Sequence, residues 1–436
     1  MNGQSEKRTV SSSIGRRFWI VLTVAVMIFA LLPAPVMAEE VTTIAEKKEV
    51  ESEKTEWAPV VEPKPLSNNV NRGLDWLVEH QHPNGGWSQG EESTQMGNSL
   101  AHLKDQTNVG DTCAAILALI RSGSTPKKGP YAETILKGIA HICDEIEGVD
   151  SKTLFVTKTT GTRLQMKLGT YIDTFLSSMV LAEAKGNMPT KQQNKRVTDA
   201  LNLVMAKIEE NQQEDGTFGG SGWANTLSQS MAVKGMNRAK QAGAELSEEA
   251  RVKVERYAQS QFDVSSGDFS SKDSAGVQLY AGAANLGAMQ DSANTNYDMK
   301  RKVQEKLDTA QSEPEREEAR DELKRIDDNE VALEAARGAI VKKLDDQQFV
   351  SGFGSNGGEE FLSYMNIGES LVTDGGQNWK KWDKEMTANL NRIQNQDGSW
   401  SGHHCITGRT FCTSAALLVL MTDRAPVPVA AEFKRR

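Results

Sequence analysis

Gln81-His82-Pro83-Asn84-Gly85-Gly86-Trp87 recurs in outline as Gln212-Gln213-Glu214-Asp215-Gly216-Thr217-Phe218 and as Gln394-Asn395-Gln396-Asp397-Gly398-Ser399-Trp400. The shared grammar is glutamine, two residues, Asp or Asn, glycine, one residue, then an aromatic. The Asp-Gly or Asn-Gly step predicts a tight turn, because glycine tolerates positive φ, and the aromatic predicts a buried side chain that pins the returning chain against a helix end. The glutamine amide is expected to satisfy helix-end carbonyls or to stack beside the aromatic. Degenerate copies run from Gln261 to Phe269, with a two-residue expansion, and from Gln347 to Phe353, where the aromatic keeps its place but the Asp-Gly turn is lost.

Each copy closes a helix-patterned segment; before the first, Val70, Leu74, Leu77 and Val78 fall at helical spacing beside Trp76. A second apolar segment rich in small residues follows. These second segments start near Asp111, Tyr171, Ala224, Ala275, Phe361 and Thr410, the one from Tyr171 lacking the motif but following the helix-patterned Ile135 to Ile146. The period reads as six helical hairpins. The first segments carry charge along one face, as Arg251, Lys253, Glu255 and Arg256 do, whereas Cys113 to Ile120 and Thr413 to Met421 are nearly all apolar, which implies an outer and an inner set.

The chain has 436 residues, long for one domain, and the repeat period is what argues for a single body from about 67 to 424. Hydrophobic residues at 38% allow a large core, while 6% aromatics and a net charge of −9 weigh against nucleic-acid binding, which needs Lys and Arg clustered on one face, so no nucleic-acid partner is expected. Lys7, Arg8, Arg16 and Arg17 precede the apolar run Phe18 to Leu32, then Pro33, Pro35 and the small-residue site Val36-Met37-Ala38. Residues 1–38 are therefore expected to be a signal peptide or, uncleaved, an N-terminal anchor and the sole membrane contact; either way the remainder is exported, periplasmic or extracellular. Residues 39–66 read as a flexible acidic linker and 425–436 as a tail. Between 300 and 330 there are 19 charged side chains, read as a protruding charged helical hairpin inserted (about 292–331) before the fifth outer helix, with Ser312, Pro314 and Glu315 marking a helix start.

The three heptads, with Gln81, Gly85, Trp87, Gln212, Gly216, Phe218, Gln394, Gly398 and Trp400 at their key positions, resemble the QW-type motifs of the squalene cyclase, terpenoid cyclase and protein prenyltransferase β-subunit superfamily. The resemblance covers roughly residues 68–424 and implies an all-α fold, an (α/α)6 toroid of six inner helices within six outer ones. It implies no single reaction, since such toroids also host noncatalytic domains. The D-x-D-D acid and aromatic cavity of the cyclases are missing, because Asp327-Asp328 and Asp345-Asp346 are isolated pairs, so ordinary triterpene cyclisation is not expected. Prenyltransferase β-subunits hold zinc with an Asp-x-Cys pair and a His at neighbouring inner-helix starts. Asp111-Thr112-Cys113 matches the pair, and a closed ring would bring His403, His404, Cys405 and Cys412 beside it, which makes these residues candidate zinc ligands. Two departures stand against this: the family's His position falls near Phe411, and the two helices come in the opposite cyclic order.

Alternatives remain for the same residues. An exported chain with four cysteines can form two disulfides among Cys113, Cys143, Cys405 and Cys412, or keep them reduced. Asp111, Asp173, Glu359 and Glu360 fall near inner-helix starts and are the catalytic candidates of a carbohydrate-active toroid, though Asp111 and Asp173 also read as plain N-caps. No zinc-protease, phosphate-loop or nucleophile-elbow motif occurs. The functional expectation is an exported binding or scaffold module for a protein, lipid or glycan. The alternatives are a metal-dependent or terpenoid-related enzyme and a carbohydrate-active enzyme. A plugged centre favours the first, a deep apolar cavity the second, an open polar groove the third.

Overall fold

The computed structural model describes residues 55–92, 101–354 and 356–429. The expected signal peptide, the linker up to residue 54 and the end of the tail lie outside the described residues. In chain order the helices are α1 (Asn68–Glu79), α2 (Val109–Arg121), α3 (Ala132–Glu147), α4 (Arg163–Lys167), α5 (Ile172–Ala184), α6 (Lys191–Asn211), α7 (Asn225–Gln241), α8 (Glu248–Ser260), α9 (Gln278–Thr309), α10 (Glu313–Lys343), α11 (Gln347–Val350), α12 (Gly358–Asp374), α13 (Gln377–Ile393) and α14 (Arg409–Leu420). The fold is all-α, since the strands are two-residue pairs only. Among the described residues no helix is long and apolar enough to cross a membrane.

Two kinds of helix alternate, as the charge pattern implies. In α2 every residue but Ile120 is buried, and in α12 every residue from Gly358 to Thr373. Flanking helices bury one stripe instead: Trp379, Trp382, Met386 and Leu390 on α13, spaced by three or four residues so that they share a face. The core helices α2, α5, α7, α9, α12 and α14 begin within three residues of the expected second-segment starts. Packing runs from α2 to α5, α7, α9, α12 and α14, and α14 packs back on α2.

The heptads act between repeats as well as within them. Trp87 and Trp400 are fully buried, and their indole N–H groups donate to Leu77 O and Leu390 O, both at 2.8 Å, pinning the preceding helix as expected. The glutamine side chain reaches further. Gln81 Nε2 donates to Gly85 O in its own turn and to Thr134 O in α3; Gln212 donates to Ala250 O in α8; Gln394 donates to Gly398 O and to Asn69 O in α1. In each case the acceptor lies three residues before the carbonyl that crowds the motif glycine: a Cβ on Gly85 would sit 2.4 Å from Lys137 O, on Gly216 2.4 Å from Lys253 O, and on Gly398 2.7 Å from Arg72 O. All three glycines have positive φ, so no other residue fits the turn without strain. The motif thus clips each hairpin to another flanking helix, and its last copy clips residues 394–400 to the first helix.

The charged stretch forms the expected helical hairpin, though as an elongation of two helices rather than a separate insertion: α9 runs on to Thr309, α10 begins at Glu313, and the two pack on each other. Their interleaved charges pair within the helices and, through Lys300–Asp327 and Lys306–Glu318, between them, and the capping box at Ser312 and Glu315 starts α10 as the sequence indicated. The linker and tail are also partly structured. Strand β1 (Trp57–Ala58) pairs antiparallel with β2 (Val427–Pro428), Lys64 N donates to Asp423 Oδ2 at 2.7 Å, and Trp57 Nε1 donates to Gln241 Oε1.

Candidate functional site

The core helices gather side chains at both ends. Toward their C-terminal ends Arg121 of α2, Lys234 of α7, Asp291 of α9 and Glu369 of α12 form one buried ion network. Arg121 lies 2.7 Å from Glu369 Oε1, and Lys234 Nζ lies 2.8 Å from Glu369 Oε2 and 2.7 Å from Asp291 Oδ2. Burial opposes ionisation of Glu369, but Lys234 and Arg121 outweigh it and hold the carboxyl below the usual carboxylate range. Ala425, Pro426 and Val427 cover these groups and leave a cavity of about 10 Å³. Arg238 stacks 5.4 Å from the Trp57 ring on the same side. Further along the helices Asn366 of α12 donates to Ser230 of α7 at 3.4 Å.

The N-terminal ends hold the sequence candidates. Asn108 caps α2 by accepting from Asp111 N and donating to Asp111 Oδ2 at 2.8 Å. Asp111 and Asp173 are therefore not caps but buried first-turn residues, and Asp173 accepts from Gln165 Nε2 at 2.7 Å. Burial, opposed by the bond from Asn108, pushes Asp111 up to about 7; burial likewise raises Asp173 to about 6. On α12, Glu359 Oε2 accepts from Ile406 N at 3.2 Å, while Oε1 is buried without a hydrogen-bond partner among the described residues. Burial and then the neighbouring Glu360 raise Glu359 to about 8. Glu360 accepts from the Tyr280 hydroxyl and from Phe353 N at 3.1 Å, and its Oε2 lies 3.5 Å from His404 Nε2; burial raises this carboxyl too.

The loop from 401 to 408 lies against this pair. Cys405 adopts φ +54°, a left-handed conformation that costs a non-glycine residue free energy and clusters at functional sites. Gly402 could not carry a side chain, since its Cβ would meet Ile406 O at 2.2 Å.

The proposed zinc set does not assemble. Cys113 faces α5, with Sγ 3.6 Å from Ser177 Oγ, while Cys412 Sγ donates to Ile406 O at 3.4 Å. Burial pushes both thiols up, and Cys405 to about 11, against the thiolate a metal needs. Among the described residues no group of three or more His, Cys, Asp and Glu side chains could hold a metal ion. His403 is exposed, and its backbone N donates to Asn356 O. The disulfide alternative fails as well, because Cys113, Cys143, Cys405 and Cys412 are all free and buried. What the structure does bring together is Glu359, Glu360, His404, Cys405 and Cys412, with Asp111 on the adjoining helix α2.

Sequence reasoning missed the ion network and an aromatic group at the N-terminal ends. Trp223 lies with its ring 5.1 Å from Phe353 and 6.0 Å from Tyr280, and Phe353 lies 5.3 Å from His404. A signal for the network was present in Met231-Ala232-Val233-Lys234-Gly235-Met236, a lone lysine in an otherwise apolar core run. No family model matches the chain, and no curated protein matches it.

Proposed function

We propose that the core helices close an (α/α)6 toroid that serves as an exported, noncatalytic binding module. The cyclic order of helix packing and the clip from Gln394 to α1 support the toroid. The observation that carries the functional reading is the Arg121–Glu369–Lys234–Asp291 network, which fills the centre with paired charge where a terpenoid-converting toroid needs an open apolar chamber. The signal-like residues 1–38 support export.

The test is incubation of the full chain with squalene and, separately, with a prenyl diphosphate, followed by product analysis by mass spectrometry. Recovery of unchanged substrate is expected. A product that disappears with Glu359→Gln overturns the reading. The second reading, a carbohydrate-active enzyme, is favoured by one observation: Glu359 and Glu360 are adjacent buried carboxyls of raised pKa, the setting of a general acid.

A further inference from the structure

The fifth copy of the repeat motif breaks the rule that the others obey. The aromatic is 0% exposed at Trp87 and Trp400, 5% at Phe218 and 4% at Phe269, but Phe353 is 56% exposed. Leaving a phenylalanine partly in water forgoes part of its burial, and the buried aromatic of this segment is Phe349 instead. Nor is Phe353 loosely placed. Its backbone N–H is held by Glu360, its ring meets Trp223 and His404 edge to face, and Gly352 and Gly354 on either side have φ of +60° and +123°. Met166, another exposed large apolar side chain among the described residues, belongs to the segment that accepts a backbone hydrogen bond from Trp223 N at Met166 O.

We propose that Phe353 and Trp223, with Lys167 and His404 at their edge and the Glu359–Glu360 pair behind them, form a saccharide-binding site. A sugar presents an apolar C–H face to an aromatic ring and hydroxyls that both donate and accept around its rim. The exposed Phe353 ring supplies the platform. Lys167, half-buried and 5.5 Å over the Trp223 ring, supplies a hydrogen-bonding group at the edge, and the half-buried His404 ring, 3.5 Å from Glu360 Oε2, closes the other side. An organic cation fits less well, since Lys167 already occupies the cation position over Trp223. An isoprenoid fits less well too, because the apolar surface ends at buried carboxyls and charged side chains. Burial raises both carboxyls, Glu359 to about 8, which lessens the repulsion the site would offer a uronate. Glu359 Oε1, without a hydrogen-bond partner among the described residues, is the polar atom that a bound ligand or its water would satisfy.

This inference rests on the binding-module reading and names its ligand class. The experiment is isothermal titration of the full chain with cellohexaose, as the neutral probe, and with hexagalacturonate, as the acidic one. Saturable binding of either is expected, weakened about tenfold or more by Phe353→Ala. That variant removes an exposed ring and keeps its fold, which circular dichroism checks. Selective loss of hexagalacturonate binding with Lys167→Met assigns the uronate, and unchanged cellohexaose binding in that variant assigns the neutral sugar. No binding of either probe, binding of tetramethylammonium in their place, or binding unaffected by Phe353→Ala overturns the site while leaving the binding-module reading intact. Cleavage of a bound oligosaccharide supports the site and overturns the noncatalytic reading instead.

Discussion

Toward the C-terminal ends of the core helices Glu369 is buried beside Lys234 and Arg121, whereas at the N-terminal ends Glu359 is buried beside Glu360 and forms no ion pair among the described residues. The two side chains belong to one helix, α12, and both are shut away from water. Their electrostatic surroundings decide opposite outcomes. Two cations within hydrogen-bond reach keep Glu369 ionised against its desolvation, and a neighbouring carboxyl adds to desolvation to keep Glu359 protonated until about pH 8. One end is an ionic staple across four helices. The other stores a titratable carboxyl pair beneath an exposed aromatic, which is the arrangement of a site rather than of a brace.

The sharpest way to break this comparison is Lys234→Met. It leaves Glu369 and Asp291 buried with too little countercharge, and a loss of about 3–5 kcal/mol in urea unfolding is expected. A near-neutral result would mean the network contributes nothing to holding the four helices. Adding Glu369→Gln to that variant should recover part of the loss, since the two substitutions share one interaction.

Glu359→Gln should act with the opposite sign and depend on pH. Below the ordinary carboxylate value of 4.5 both folded and unfolded chains are protonated there, and the substitution changes little. As pH rises toward 8 the unfolded chain ionises first, so the wild-type glutamate withdraws stability, up to on the order of 5 kcal/mol if the full shift from 4.5 to about 8 is realised. The glutamine variant escapes that decline and is expected to be the more stable protein at pH 8. Glu369 runs the other way: its folded pKa is depressed, so its contribution is present above the ordinary value and lost as pH falls through the folded one. Urea midpoints for both proteins from pH 4 to 8 check this, and a difference that stays flat with pH sinks it.

The turn chemistry of the fold was legible because it is local. Asn84-Gly85, Asp215-Gly216 and Asp397-Gly398 announce positive φ at fixed spacing, and the apolar density of the second segments locates the core helices to within three residues. What the glutamines do was only half legible, since Gln394 and Asn69 lie 325 residues apart. The charged stretch was half legible for a related reason: a run of charge fixes a helical hairpin but not whether its helices are new or, as here, elongations of α9 and α10. At the site, Glu359 and Glu360 stood out as acidic residues opening an apolar segment. The cysteines misled, because parity and export argue for bridges while buried thiols in a packed core need no partner. Phe353 was hidden by its own motif, whose other copies bury the aromatic.

Gly85→Ala and Gly267→Ala compare an intact copy of the motif with a degenerate one. Both glycines have positive φ, +87° and +74°, so alanine strains the backbone at each by about 1 kcal/mol. At Gly267 the added Cβ meets only Ala339 Cβ at 3.7 Å, an ordinary contact, whereas at Gly85 it meets the Lys137 carbonyl oxygen at 2.4 Å. That oxygen belongs to the backbone of α3 and cannot turn aside, so the clip from Gln81 to Thr134 must open with it. Thermal unfolding should therefore show a loss of about 2–4 kcal/mol for Gly85→Ala and about 1 kcal/mol for Gly267→Ala. Equal losses would reduce the motif to its turn and remove the case for a clip between repeats. The smallest effect is expected on the extension, where Lys324 pairs with Asp328 one turn along the same exposed helix. Salt screens such a pair and water solvates both ends without it, so Lys324→Ala should leave the unfolding midpoint where it was. A midpoint that falls, and falls less at high salt, would make the surface charges of α9 and α10 a brace comparable in kind to the buried network around Glu369.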